Sequence, residues 1–279
     1  MALRVHHLNA GTMCPVSPLL VNGRGWPFGR ARLVCHVLLM EAEDGLVLVD
    51  TGMGLKDCAD PNRLGPGFIK RAAPRLDPAE TAARQVEALG YKIGDVRHIL
   101  LTHLDRDHAG GLADFPGAKV HVHALEHKAA VTHEIAARPG RYLERQWSDG
   151  PTWVLYPPEG DDWFGFKSVR ALGNNPDVLM IPLAGHTSGH VGIAVRDGDR
   201  WLLHAGDAYY SSRQLSRRPG VPLGLGWFQR AADADRASRV ANQERLRQLN
   251  LGHGGEVSII CSHDPYEFDA CCAAHRPRS

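Results

Sequence analysis

The string LLTHLDRDHAGG at residues 100–111 places His103, Asp105, Asp107 and His108 within six positions. Imidazole and carboxylate groups ligate divalent ions, so this density suggests metal binding. The apolar run 98–101 (HILL) delivers them as a short buried strand, and Gly110-Gly111 lets the chain turn tightly behind them. In isolation, a solvated Asp-rich turn would read the same way. Three further segments argue against that reading. His186 in GHTSGH (185–190), Asp207 in HAGD (204–207) and His263 in CSHD (261–264) each follow an apolar, strand-like run. Groups delivered just past strand C-termini form the usual sites of α/β proteins.

Together these side chains could hold two ions. Two metals roughly 3.5–4 Å apart generate a nucleophile from water at neutral pH and polarise a carbonyl. The sequence has no G-x-S-x-G elbow to offer a serine instead. Hydrolysis of an ester, lactone, thioester or amide fits this machinery.

The elements that must position these groups alternate between strand and helix. Residues 33–40 and 46–49 flank Asp44-Gly45, and 191–196 and 201–204 flank Asp197-Gly198, which gives two hairpins. Each hairpin leads to an aspartate beside small residues, Asp50-Thr51-Gly52 and Gly206-Asp207-Ala208, a weak sign of duplication. Helices are expected over 78–89, 124–137 and about 233–249, with strands at 119–123, 178–183 and 257–261. The class is α/β, and residues 1–279 are expected to form one domain of two similar halves. Residues 11–30 and 209–228 lack periodicity but are rich in Gly, Pro and apolar side chains, so they read as binding loops.

The ligand set resembles the metallo-β-lactamase superfamily, whose pattern is HxHxDH, a Gly-His motif, a bridging aspartate and a final histidine. The intervals of 78, 21 and 56 residues (108 to 186, 186 to 207, 207 to 263) fit it, and the resemblance runs from Asp50 to His263. It implies a four-layer αββα sandwich with His103, Asp105 and His186 on one metal and Asp107, His108 and His263 on the other. Asp207 would bridge the two, and Asp50 would orient ligands. The implied cofactor is two divalent ions, zinc first, with iron, manganese or cobalt as alternatives. The chain departs from the pattern at Asp105, where the family has a histidine. A carboxylate there is a harder ligand and adds negative charge, or else it turns away and weakens that position.

Within the superfamily, the N-acyl-homoserine lactonase branch has a tyrosine three residues after the bridging aspartate that contacts the substrate near its carbonyl. Tyr210 stands at that offset here. The resemblance therefore implies a lactone or related ester as the small-molecule substrate, with Asp107 and Tyr210 as catalytic groups. Trp26, Phe28, Leu223, Leu225 and Trp227 are candidates to line an acyl site, with plain packing as the alternative for each. A glyoxalase II type thioesterase, an iron-dependent redox or dioxygenase member, and a metal-binding protein without catalysis are the rival readings. Flavin-fused diiron members also carry a carboxylate at the second ligand position, but no flavin domain is evident.

Bulk composition sets the limits. Lys and Arg total 32 against 31 Asp and Glu, so the net charge is +1 and a nucleic-acid partner is not expected. Arg213, Arg217 and Arg218 read as a solvated run. No apolar stretch approaches the roughly 18 residues of a membrane span, and no signal peptide is evident. The six cysteines form no CxxC pair, which suits reduced thiols and a cytoplasmic location. A homodimer is compatible with these features. His190 and His204 are expected to support the ligands, whereas His6, His7, His36, His98, His121, His123, His127, His133, His253 and His275 are expected to be structural or exposed.

Overall fold

The structure, a computed structural model, describes residues 4–172 and 175–274. His275 therefore lies outside the described residues. One six-stranded sheet contains β1 (Arg4–Met13), β2 (Leu33–Ala42), β3 (Gly45–Val49), β4 (Val96–Leu100), β5 (Lys119–His123) and β6 (Thr152–Tyr156), in that order. The second contains β7 (Asp161–Trp163), β8 (Phe166–Leu172), β9 (Asn175–Pro182), β10 (Val191–Asp197), β11 (Arg200–His204) and β12 (Val257–Ile260), also side by side in sequence order. Around them lie α1 (Pro18–Asn22), α2 (Leu55–Ala59), α3 (Pro66–Ala72), α4 (Ala82–Ala88), α5 (Arg106–Ala109), α6 (Ala124–Ala130), α7 (Leu223–Ala232), α8 (Arg236–His253) and α9 (Pro265–Ala274).

The two-residue period of the strands sorts their side chains between layers. On β2, Leu38 and Met40 face the second sheet, where Met180, Ile193, Val195, Leu202 and Ile260 meet them. Their neighbours Val37 and Leu39 face outward onto Ala82, Ala83 and Val86 of α4. On the far side, Leu203 and Ile259 pack against Leu246 and Leu249 of α8. These clusters define helix, sheet, sheet and helix layers, the metallo-β-lactamase sandwich.

The strands leading to the candidate ligands come together at one edge. β3, β4 and β5 run parallel, as do β11 and β12. Their C-terminal continuations are Asp50, Thr102-His103, Ala205-Gly206-Asp207 and Cys261-Ser262-His263. Backbone bonds tie these turns to one another: Asp50 N–H donates to Leu100, Ala205 N–H to Ile260 and Val191 N–H to Thr102.

Several elements differ from the sequence expectation. The helix expected over 78–89 divides into a 3₁₀ turn, Pro78–Glu80, and α4, because Thr81 caps a new start. The helix expected to reach residue 137 stops at Ala130, where the β-branched pair Val131-Thr132 and His133, at φ 56°, release the chain into an irregular loop. The two aperiodic stretches are only partly loops: β1 runs to Met13, α1 occupies 18–22 and α7 begins at Leu223. Among the described residues, no helix is long and apolar enough to cross a membrane.

Candidate metal centre

Asp50 anchors the site. It closes β3 with φ 60°, a left-handed conformation that non-glycine residues rarely adopt. The strain aims its carboxylate at three donors: Thr102 N–H at 2.8 Å, the Thr102 hydroxyl at 2.8 Å and His108 Nδ1 at 2.8 Å. The same hydroxyl accepts from His103 Nδ1 at 3.0 Å. His263 Nδ1 donates to the Val34 carbonyl at 2.8 Å. In each ring Nδ1 carries the proton, so the Nε2 lone pair points into the site.

Asp207 occupies the middle. Its Oδ1 lies 3.4 Å from His108 Nε2 and 3.2 Å from His263 Nε2. Its Oδ2 lies 3.3 Å from His186 Nε2 and 3.9 Å from His103 Nε2. Asp107 joins the first side, 3.6 Å from His263, and Asp105 the second, 3.2 Å from His186 and 3.5 Å from His103. The backbone N–H of Asp207 donates to His190 Nε2 at 2.9 Å, and His190 Nδ1 donates to the Leu183 carbonyl. His204 stands behind, bonded to the His36 carbonyl and to Gly206 N–H.

The electrostatics of the cluster suit a cation. Burial alone would raise the Asp207 carboxyl, but the imidazoles of His263, His108 and His186 outweigh it and hold the group well below the usual carboxylate range. His103 Nε2, His108 Nε2 and Asp207 Oδ1 are buried and lack any hydrogen-bond partner. Buried polar atoms are ordinarily satisfied, so these three converging atoms fit a bound divalent ion.

The structure brings together all seven candidate ligands and places Tyr210 beside them. Its hydroxyl donates to Asp207 Oδ2 at 3.1 Å, and its ring stands 5.4 Å from that of His263 and 6.1 Å from that of His186. The five candidate lining residues differ in exposure. Leu225 is buried in one cluster with Tyr210, whereas Trp26, Phe28, Leu223 and Trp227 are 72%, 75%, 80% and 62% exposed. Of the other histidines, His6 bonds Glu41, His133 bonds Glu144, and His98 and His121 bond each other.

Three neighbours of the site were not singled out in the sequence. Cys35 on β2 is buried, with its sulfur within 4.8 Å of the ligand atoms of Asp107 and His263. Glu126 on α6 is fully buried and accepts from Leu104 N–H at 2.9 Å, Gly189 N–H at 3.1 Å, the Thr187 hydroxyl at 2.6 Å and the Tyr142 hydroxyl at 2.9 Å. It thereby joins the HxDxDH loop to the Gly-His loop. A β-carbon on Gly189 would strike the backbone of Glu126, so only glycine allows this approach. Arg141, from the irregular loop after α6, grips Asp105 through two nitrogens at 2.8 and 2.7 Å and reaches His186 Nε2 at 2.8 Å.

The family model of the metallo-beta-lactamase superfamily matches residues 30–251. The chain belongs to this superfamily. It is 45% identical over 264 residues to a probable metallo-hydrolase of Mycobacterium tuberculosis, covering 94% of this chain and 81% of that protein. It is 25% identical over 268 residues to the N-acyl homoserine lactonase AttM of Rhizobium johnstonii, covering 94% of both. Among solved structures it resembles a mutant of the Bacillus thuringiensis protein AiiA, with N-decanoyl-L-homoserine bound at that protein's active site. The TM-score is 0.72 at 20% identity, over 97% of both chains. The protein is a metallo-hydrolase of the metallo-β-lactamase superfamily.

Proposed function

We propose that this metallo-hydrolase opens a lactone or cleaves a related ester, in the manner of the N-acyl-homoserine lactonases. The observation that carries the reading is the position of Tyr210. Its hydroxyl lies 3.1 Å from the carboxylate that faces both ligand groups, and its ring adjoins those of His186 and His263. Asp107, His108 and His263 would hold one divalent ion, His103, Asp105 and His186 a second, and Asp207 would serve both. The mixed nitrogen and oxygen donors suit zinc, with iron, manganese and cobalt compatible by donor type. A bound ion supplies Lewis acidity and a water of lowered pKa.

The chain's own residues do the rest. Asp207, fixed by His190, keeps the two groups in register. Asp107, through a carboxylate oxygen not engaged by the ion, would accept a proton as water attacks and return it to the leaving oxygen. The Tyr210 hydroxyl donates to the carbonyl oxygen as charge develops on it. Tyr210 packs with Leu225 and Phe228 of α7, the helix on which Leu223 and Trp227 stand exposed. This apolar surface suits an acyl tail.

Tyr210→Phe removes the hydroxyl and keeps the ring in place. A full oxyanion donor is worth about 2.7–4 kcal/mol, and here that task is shared, so roughly 1–2 kcal/mol is expected. In steady-state assays on a panel of lactones, esters and thioesters, kcat should fall about 5- to 30-fold with little change in KM. Metal content should stay unchanged. Full kcat on every accepted substrate would reduce Tyr210 to packing and remove the best support for the lactonase reading.

A further inference from the structure

We propose that Arg141 is an internal cation that competes with a metal ion for the His103–Asp105–His186 position, so that the two positions of the centre fill unequally. The inference rests on the metal-dependent reading above and concerns the order in which that centre is loaded.

Both carboxylate oxygens of Asp105 are engaged by the guanidinium, Oδ1 by Nε at 2.8 Å and Oδ2 by Nη2 at 2.7 Å. Nη2 also lies 2.8 Å from His186 Nε2, the same atom that faces Asp207. Two of the three groups that would hold an ion on this side are therefore capped by a planar donor array of fixed charge. A metal binds oxygen and imidazole nitrogen at about 2.0–2.2 Å, so a metal and the guanidinium cannot share these atoms. Among the described residues, no arginine or lysine nitrogen is bonded to Asp107, His108 or His263 on the other side. His103 Nε2 on the capped side and His108 Nε2 on the open side have no hydrogen-bond partner, so the asymmetry rests on Asp105 and His186 alone.

Arg141 is built into its place. Its side chain is 8% exposed, and Nη1 donates to the Ala232 carbonyl at 2.6 Å. The loop is in turn held by Arg106, whose Nη2 donates to the carbonyls of Gly140 and Arg141 at 2.7 and 2.8 Å. Arg106 sits inside the HxDxDH string, between two candidate ligands, so the string that offers Asp105 also fixes the loop that neutralises it. The carboxylate at the position where the family has histidine gains a physical reason: it is the partner that a guanidinium requires.

The test is a zinc titration of chelator-stripped protein against a chromophoric competitor, for the natural chain and for Arg141→Met, which keeps much of the stem but removes the charge. In the natural chain one ion should bind tightly and the second about 30- to 100-fold more weakly, within the range seen when a ligand's support is altered. Arg141→Met should bring the two affinities within tenfold. If that variant does not fold without metal, Asp105→His gives the answer, since it removes the carboxylate that holds Arg141 yet keeps a ligand, and it too should narrow the gap. Two equally tight ions in the natural chain, or an unchanged gap in the folded variants, would overturn the competition. Absence of any tight ion in every protein would instead overturn the metal reading beneath it.

Discussion

Asp207→Asn is expected to cut turnover at least 100-fold without unfolding the protein. Asparagine has almost the same shape, and the backbone bond from residue 207 to His190 is untouched. What is lost is a negative charge that two groups of imidazoles share, at 3.2–3.9 Å from its two oxygens. The pull of His263, His108 and His186 on this carboxylate outweighs its burial, so replacing it with a neutral amide removes the anion that both groups of imidazoles share. A loss of at least two orders of magnitude follows if both positions weaken together. Metal content and kcat on the best lactone are the measurements. Activity like the natural chain's, with metal content unchanged, would show that Asp207 does not serve both groups.

The second large effect is expected at Glu126, which touches none of the candidate ligands. Glu126→Ala would leave two backbone N–H groups and two hydroxyls without their acceptor, three of the four in the loops that carry His103 and His186. An unsatisfied buried donor costs about 1–3 kcal/mol, and Glu126→Ala would strand several at once, so a loss of roughly 3–5 kcal/mol is expected after relaxation. The midpoint of thermal unfolding should fall by roughly 10 °C. Metal affinity should fall with it, because the two loops lose their common tie. Glu126→Gln keeps the volume but turns an amide NH₂ toward donors, so it should fall between. A thermal midpoint within one or two degrees of the natural chain's would contradict this account of Glu126.

The convergence of the candidate ligands was legible because each stands in a short string directly after an apolar strand, where local sequence dictates placement. The Asp44-Gly45 and Asp197-Gly198 turns were legible for the same reason. Both glycines adopt positive φ, at 134° and 60°. Arg141 was not legible. It lies in an irregular loop beyond the helix expected over 124–137, where no periodicity marks it, and it is one of 32 basic residues whose partners are set only by tertiary packing. Glu126 read as an ordinary helix residue, since burial of that first turn depends on Gly189, 63 positions later. Cys35 looked like any of six thiols until β2 and the last ligand loop came together. β1 escaped because its burial alternates only in part, with two adjacent histidines inside it.

The most direct test of the central claim measures metal content and lactone turnover on one preparation as metal is removed and restored. A chelator should abolish hydrolysis, and zinc should restore it as one ion per chain binds, with occupancy rising toward two in excess. Full turnover of a lactone by protein free of metal would contradict the account.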